Sequence, residues 1–557
     1  MFTMDSLVFL AIAVAILFAA VQRGGDGAWT MSEKTHRAIC GAAIAAGVLV
    51  RLARLTSLPA GISAEEALVG VQAKALWQTG GFLFGQGLTT QLSQWAGETT
   101  GPLLAVLTAP FVGLFGMSKL TVRLPLALLS CAAMPAAYGL GEALSGRRAA
   151  RWMLLIAALC PIFVLEARMT CGSCAALYLL PIALCLIARG VTKPAALYPG
   201  MIVLALTAYA QDMYFFIAPA AILACAIIAL IFGRKKRHAA ISGAIGLLLC
   251  VPAMLTAFVN LTGAEGMTLL GLIRIPRLEG FEKAFMAENR SVGDKLWAVL
   301  IGGVFQVLRH ENIHQAMYTP DGMLALFMFS LPLMALGALA LFARWTDGRR
   351  AAREKAAARA MAVATCAVTL AALVMFGSVG TLNTDGTTGL FDHSALILFD
   401  AVLMTAGLCT IERKNLKCAA AMVALMAANF AWLAVQLFGG SYQANANVYF
   451  PGFEQMAARA AEIQAETGEK INVTGNVYPH IQPSDGAEMM FLYATDADMR
   501  TAEAERGTRY ETIYVSEDMQ PEADQIYLAR ANEISNWDLE GFDYEESEGY
   551  ALIYPAR

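Results

Sequence analysis

The sequence predicts a polytopic all-α membrane protein of about twelve transmembrane helices, followed by a C-terminal α/β domain outside the membrane. Three observations predict it. The 557 residues are 57% hydrophobic and 15% charged, with a mean hydropathy of +0.55, whereas a soluble chain carries roughly a quarter charged residues. Apolar runs long enough, or nearly so, to cross a hydrocarbon core of about 30 Å recur along the chain. Basic residues fall in alternate connections, as orientation in a bilayer requires. The formal net charge of -4 argues against nucleic acid as the partner.

The apolar runs lie near residues 6–22, 38–55, 124–143, 152–168, 174–189, 196–210, 213–232, 239–259, 322–343, 361–377, 395–411 and 418–437. The first has no basic residue before it, so it reads as a span rather than a cleavable signal peptide. Threading the chain through these spans gathers Arg23, Lys34 and Arg37, then Arg147, Arg148 and Arg151, then Arg189 and Lys193, on one side. The run from Arg234 to His238, the segment from Arg344 to Arg359, and Arg413, Lys414 and Lys417 join them. The positive-inside rule makes that side the cytoplasm and leaves both termini outside. Of the 11 cysteines, none follows Cys418, and most sit in apolar runs as small buried hydrophobes.

This divides the chain into an additional N-terminal helix and loop at 1–37, a transmembrane catalytic unit at 38–440, and a soluble extracytoplasmic domain at 441–557. The first outer loop, 56–122, contains two helical stretches, one starting EEALVGVQAKALW and one reading GPLLAVLTAPFVGLFG, expected to lie at the membrane interface. A second outer loop runs over 260–321. In the tail, residues 452–467 read as an amphipathic helix, and KINVTGNVY, TRYETIYVS, ADQIYLAR and YALIYPA as short strands.

The functional signal is concentrated where the second span ends. Arg51 and Arg54 close it, Pro59-Ala60-Gly61 turns the chain, and the adjacent carboxylates Glu65 and Glu66 follow. Ionisable groups at the edge of a bilayer cost desolvation energy unless solvated or used, so they mark candidate sites. The same pair also suits the acidic first turn of a helix capped by Ser63.

The segments LVRLARLTSLPAGISAEEAL, GPLLAVLTAPFVGLFGMSKLTVRLPLALLS, SGRRAARWMLLIAALCPIFVLEARM and AYAQDMYFFIAPAAIL follow one another in an order that resembles the C-type glycosyltransferase fold, in particular the protein O-mannosyltransferase and aminoarabinose transferase relatives. The first of them looks like the first core span and its acidic loop, and the second like the interfacial helix leading into an Arg-Leu-Pro span. The other two look like the two later segments of the core. The likeness covers about residues 45–230 well and 322–343 weakly.

That resemblance implies transfer of a sugar from a polyprenyl-phosphate donor to a protein, glycan or lipid acceptor outside the membrane. An attacking hydroxyl must lose its proton, which calls for a carboxylate base. By the resemblance this is Glu65, standing where the family has Asp, with Glu66 beside it. The departing lipid phosphate calls for cations. Arg168 and Arg123 match the family's positions; its interfacial lysine is replaced by Gly101 before Pro102. Glu166 would orient Arg168, and Gln211, Asp212 and Tyr214, in a short outer turn, would reach the sugar. A divalent metal bridging the phosphate is compatible with this chemistry, and no cofactor beyond the lipid-linked donor is required.

Four other readings compete. Arg168 and Arg123 also suit interface anchors that snorkel to headgroups. His310, Glu311 and His314 have the HExxH spacing of a zinc metalloprotease, without an evident third ligand. Cys171 and Cys174 have the CxxC spacing of a thiol oxidoreductase or a structural disulfide. A catalytically inactive lipid- or glycan-binding scaffold of the same fold would tolerate Glu in place of Asp.

Overall fold

The described parts of the apolar runs are largely helical, with 152–168 broken in two, because a segment in hydrocarbon must satisfy its backbone hydrogen bonds internally. The computed structural model describes residues 4–22, 31–83, 85–93, 99–170, 174–211, 213–277, 293, 324–346, 353–376, 394–439, 450–475 and 485–556. The membrane unit comprises α1 (Met4–Gln22), α2 (Glu33–Leu52), α3 (Ala64–Thr79), α4 (Leu103–Phe115), α5 (Lys119–Ser145), α6 (Arg147–Leu159), α7 (Pro161–Leu165) and α8 (Cys174–Gly190). It continues with α9 (Leu197–Leu206), α10 (Tyr214–Phe232), α11 (Lys236–Thr262), α12 (Ser330–Thr346), α13 (Arg353–Phe376), α14 (Ser394–Lys414) and α15 (Leu416–Phe438). Among the described residues six helices are long and apolar enough to cross a membrane, and seven spans result if the broken pair 147–159 and 161–168 counts as one. The chain is a multi-pass membrane protein.

The break in that pair has a local cause. Pro161 opens α7 and cannot donate the backbone hydrogen bond that would continue α6. The two pieces bend by 61°. Residues 166–168 therefore turn back toward the loop that follows α2.

The basic connections meet at one end of the bundle, as their alternation predicts. Glu33 pairs with both Arg37 and Arg147, Glu412 pairs with Arg148 and Arg151, and Arg234 pairs with Glu354. Arg359 donates to the carbonyl of Leu144 at 2.9 Å. At the opposite end the two predicted outer loops are stitched together. Strand β1 (Leu88–Thr89) pairs in parallel with a strand from the second loop, Ile273–Ile275, which pairs antiparallel with Met267–Leu269.

The C-terminal residues form an α/β domain around a five-stranded sheet. In chain order its strands are Lys470–Thr474, Tyr510–Ile513, Gln525–Arg530, Phe542–Ser547 and Tyr550–Pro555. The first pairs in parallel with both the second and the third; the third, fifth and fourth then pair antiparallel. Helices Pro451–Thr467 and Asp485–Ala494 pack with it. The helix and four strands match the expected segments. The strand FDYEES and the helix at 485–494 do not appear in the sequence reading: three carboxylates mask the first, and a short apolar run without clear period marks the second.

Helix α3 joins the two parts. Ten of its residues are buried, and Ala64, Ala67, Leu68, Val71, Ala73 and Ala75 among them share one core cluster with Phe453, Met490 and Tyr493 of the C-terminal domain. At Gly70 a Cβ would stand 2.9 Å from Val122 and 3.3 Å from the Tyr493 ring, so the absence of a side chain sets the approach of the domain. Lys74 pairs with Asp496 and Lys119 with Glu454 around this contact.

Candidate active site at the outer loop

Local sequence fixes the start of α3. Ser63 accepts a hydrogen bond from the Glu66 N–H at 3.2 Å, and Glu66 reaches back to the Ser63 N–H at 3.3 Å. This is a reciprocal cap that satisfies two backbone donors of the first turn. It also points Glu66 inward and leaves Glu65, one residue earlier, on another side of the helix.

The two carboxylates consequently have different fates. Glu66 is buried and meets Arg123 through two bonds, Nε to Oε1 and Nη2 to Oε2, both 2.8 Å. The Thr170 N–H adds a third at 3.2 Å. Glu65 is half-buried. It lies close enough to Glu166 for their charges to interact.

Arg123 is used up by the protein. Besides Glu66 it donates to the carbonyls of Leu55 at 3.1 Å, Pro59 at 2.9 Å and Gly61 at 2.7 Å. A guanidinium has five N–H groups, and each has an acceptor here. Arg168 is likewise buried, and donates to Val50, Arg51 and Ala53 at 2.6, 3.2 and 3.0 Å and to Leu58 at 2.9 Å. Those first carbonyls are the exposed end of α2, where acceptors and the helix dipole both favour a cation. Arg51 does the reverse: from α2 it donates to Ala157, Ala158 and Phe163 at 2.7, 3.1 and 2.7 Å, capping α6. The end of α2 and the broken span that ends at Arg168 are thus tied to each other, and Arg51 is a site-forming residue whose only sequence signal was its place at the end of a span.

Glu166 is buried and accepts from the Cys174 thiol at 2.8 Å, so it serves Cys174 and not Arg168 in the bonds described. Cys171, the other half of the CxxC pair, lies outside the described residues, as do Asp212, His310, Glu311 and His314. Gln211 is buried, and among the described residues its side-chain oxygen has no hydrogen-bond partner. Tyr214 begins α10 and is fully buried. At Gly101 a Cβ would come within 2.1 Å of the Tyr209 carbonyl oxygen. Backbone contact, not chemistry, excludes a lysine there. Among the described residues no group of His, Cys, Asp or Glu is arranged to hold a metal ion.

Arg54 is a further cation that the sequence reading did not assign. It is exposed on the same loop, in a left-handed backbone conformation with φ of 52°. Its carbonyl accepts from Arg168 at 3.4 Å, which ties the backbone down while the side chain stays outside.

The fold and site together define a multi-pass helical membrane protein with one carboxylate engaged in a buried ion pair and one half-buried on the loop that follows α2. No protein-family model matches the chain, and no curated sequence matches it. In overall shape it is similar to the oligosaccharyltransferase AglB of Archaeoglobus fulgidus, solved with an inhibitory peptide and a dolichol-phosphate, at 12% identity and a TM-score of 0.44, over 83% of this chain and 63% of that one. The chain therefore spans under two thirds of that enzyme's length. It is also similar to ArnT of Cupriavidus metallidurans in the apo state, at 13% identity and a TM-score of 0.44, over 92% of this chain and 97% of that one. The same protein bound to undecaprenyl phosphate gives 12% identity and a TM-score of 0.45, over 93% of this chain and 98% of that one. At these values the likeness is one of shape, and no residue's role follows from it.

Proposed function

We propose that the chain is a membrane glycosyltransferase that moves a sugar from a polyprenyl-phosphate donor to an acceptor on the extracytoplasmic side, with Glu65 as general base. The observation that carries this reading is the division between the two carboxylates. Glu66 is consumed by Arg123, Ser63 and Thr170; Glu65 stays half-buried on the loop. A half-buried carboxylate with no ion-pair partner among the described residues is placed to take a proton from a hydroxyl brought within hydrogen-bond reach. The motif order of the sequence supports the same donor class, and the basic end of the bundle, opposite this loop, supports placing the site outside.

The assignment of Arg123 and Arg168 changes in this reading. Their N–H groups hold the loop and the end of α2, so they position Glu65 and its surroundings rather than grip a phosphate. Arg54, exposed on the same loop, is the cation proposed to meet the lipid phosphate. Gln211, with an unused oxygen, remains a proposed sugar contact, and the C-terminal domain, seated on α3, is proposed to present the acceptor.

The test is release of polyprenyl phosphate from a panel of polyprenyl-phosphate sugars by the full chain in lipid. Release that depends on Glu65 and Arg54 supports the reading. A folded protein that releases nothing from any donor, or a Glu65→Gln protein with full activity, overturns it in favour of a binding scaffold.

A further inference from the structure

A cavity with a basic rim lies along the first half of α2, from Glu33 to Ile44, toward the end of that helix away from the Glu65 loop. It measures about 460 Å³ and is lined by Glu33, His36, Arg37, Tyr138, Arg147 and Arg189. Glu33 takes both Arg37 and Arg147, and among the described residues Arg189 has no carboxylate partner. Three arginines against one carboxylate leave the lining with a net charge of +2.

The hydrogen-bond directions are set from behind the cavity. Arg151 lies 3.1 Å from His36 Nδ1, and because arginine only donates, Nδ1 accepts and the proton of a neutral imidazole sits on Nε2. Nε2 is 3.1 Å from the Tyr138 hydroxyl and donates to it. With the His36 Nε2–H donating to it, the Tyr138 hydroxyl gives its own proton to an acceptor elsewhere, and Tyr138 lines the cavity. The site therefore offers a directed O–H and an unpaired guanidinium, both suited to an oxyanion. Its remaining wall is apolar, with Ile44, Pro135 and Leu154, and Ile44 is exposed. A charged head beside an apolar flank fits a lipid better than a free ion.

We propose that this cavity binds the phosphate headgroup of an anionic membrane lipid in the leaflet opposite the Glu65 loop. The inference is independent of the proposed transferase reaction. It also differs from general attraction of basic loops to a negative leaflet, because that attraction would act alike on every exposed cation of this face.

The experiment is native mass spectrometry of the full-length protein exchanged into mixtures of phosphatidic acid and phosphatidylcholine, with R189Q, Y138F and R234Q. Arg189 and Arg234 are both exposed, and Arg234 lies on the same face outside the cavity lining. Retained phosphatidic acid is expected, falling about fivefold in R189Q, the loss of one cation's attraction near the surface, falling also in Y138F, and unchanged in R234Q. Melting temperatures measured alongside verify that each variant is folded. Equal losses in R189Q and R234Q, equal retention of phosphatidylcholine, an unaffected Y138F, or inorganic phosphate binding in place of the lipid would each overturn the proposal.

Discussion

The two ends of α2 use arginine in opposite ways. At the end toward Glu65, Arg51, Arg123 and Arg168 are buried, and their N–H groups point at carbonyl oxygens and one carboxylate of the protein. At the other end Arg37, Arg147 and Arg189 surround an open cavity, with one carboxylate among them. The difference teaches that a cation's role depends on how many acceptors the fold supplies. Where helix ends and a loop deliver enough, the guanidinium becomes structure; where they deliver too few, it remains available to a ligand.

That contrast breaks at different points with different force. The largest effect is expected in activity: Glu65→Gln removes the proposed base and lowers transfer by about 100-fold or more, with the melting temperature kept, as measured by donor turnover on the folded protein. The next is in stability. Arg123→Ala strands the buried Glu66 carboxylate, and breaking such a pair costs about 3–5 kcal/mol, read as a lower melting temperature in detergent; a stable Arg123→Ala protein with lost activity would instead return Arg123 to the substrate.

Arg168→Gln leaves the last carbonyls of α2 without their charged donor and is expected to cost about 1.5–3 kcal/mol, with turnover reduced only as far as unfolding explains. Gly101→Ala forces a Cβ onto the Tyr209 carbonyl, and crowding of this kind costs about 1–3 kcal/mol, measurable by the same melt. The smallest effect is at the domain contact. Lys74 and Asp496 pair at 2.7 Å, with Asp496 69% exposed, so a double-mutant cycle on them should give about 0.2–1 kcal/mol. The apolar contacts of Tyr493 on Gly70 and Val122 carry that junction instead.

The membrane helices were legible because each is written as a continuous apolar run whose length alone sets a span. Their common basic end was legible for a similar reason, since Arg and Lys bias acts on short connections one at a time. The Glu65–Glu66 pair could be found but not divided. Both residues sit in the first turn of α3, and only the Ser63 cap together with Arg123, 57 residues away, makes one of them structural. The Cys174 bond to Glu166 and the pairing of the two outer loops were hidden for the same reason, as neither follows a local period.

By itself, then, the sequence determined the multi-pass helical class, the order of its helices, the basic end and the loop on which acid collects. Hydrophobic length, charge bias and turn chemistry are properties of short segments and need no partner. Only the tertiary structure decided that Arg51 caps α6 while Arg168 caps α2, that Glu66 is held while Glu65 has no ion-pair partner among the described residues, and that the C-terminal domain rests on α3. Each of those depends on which acceptor lies within about 3 Å of a donor, and that is settled by residues brought together from distant parts of the chain.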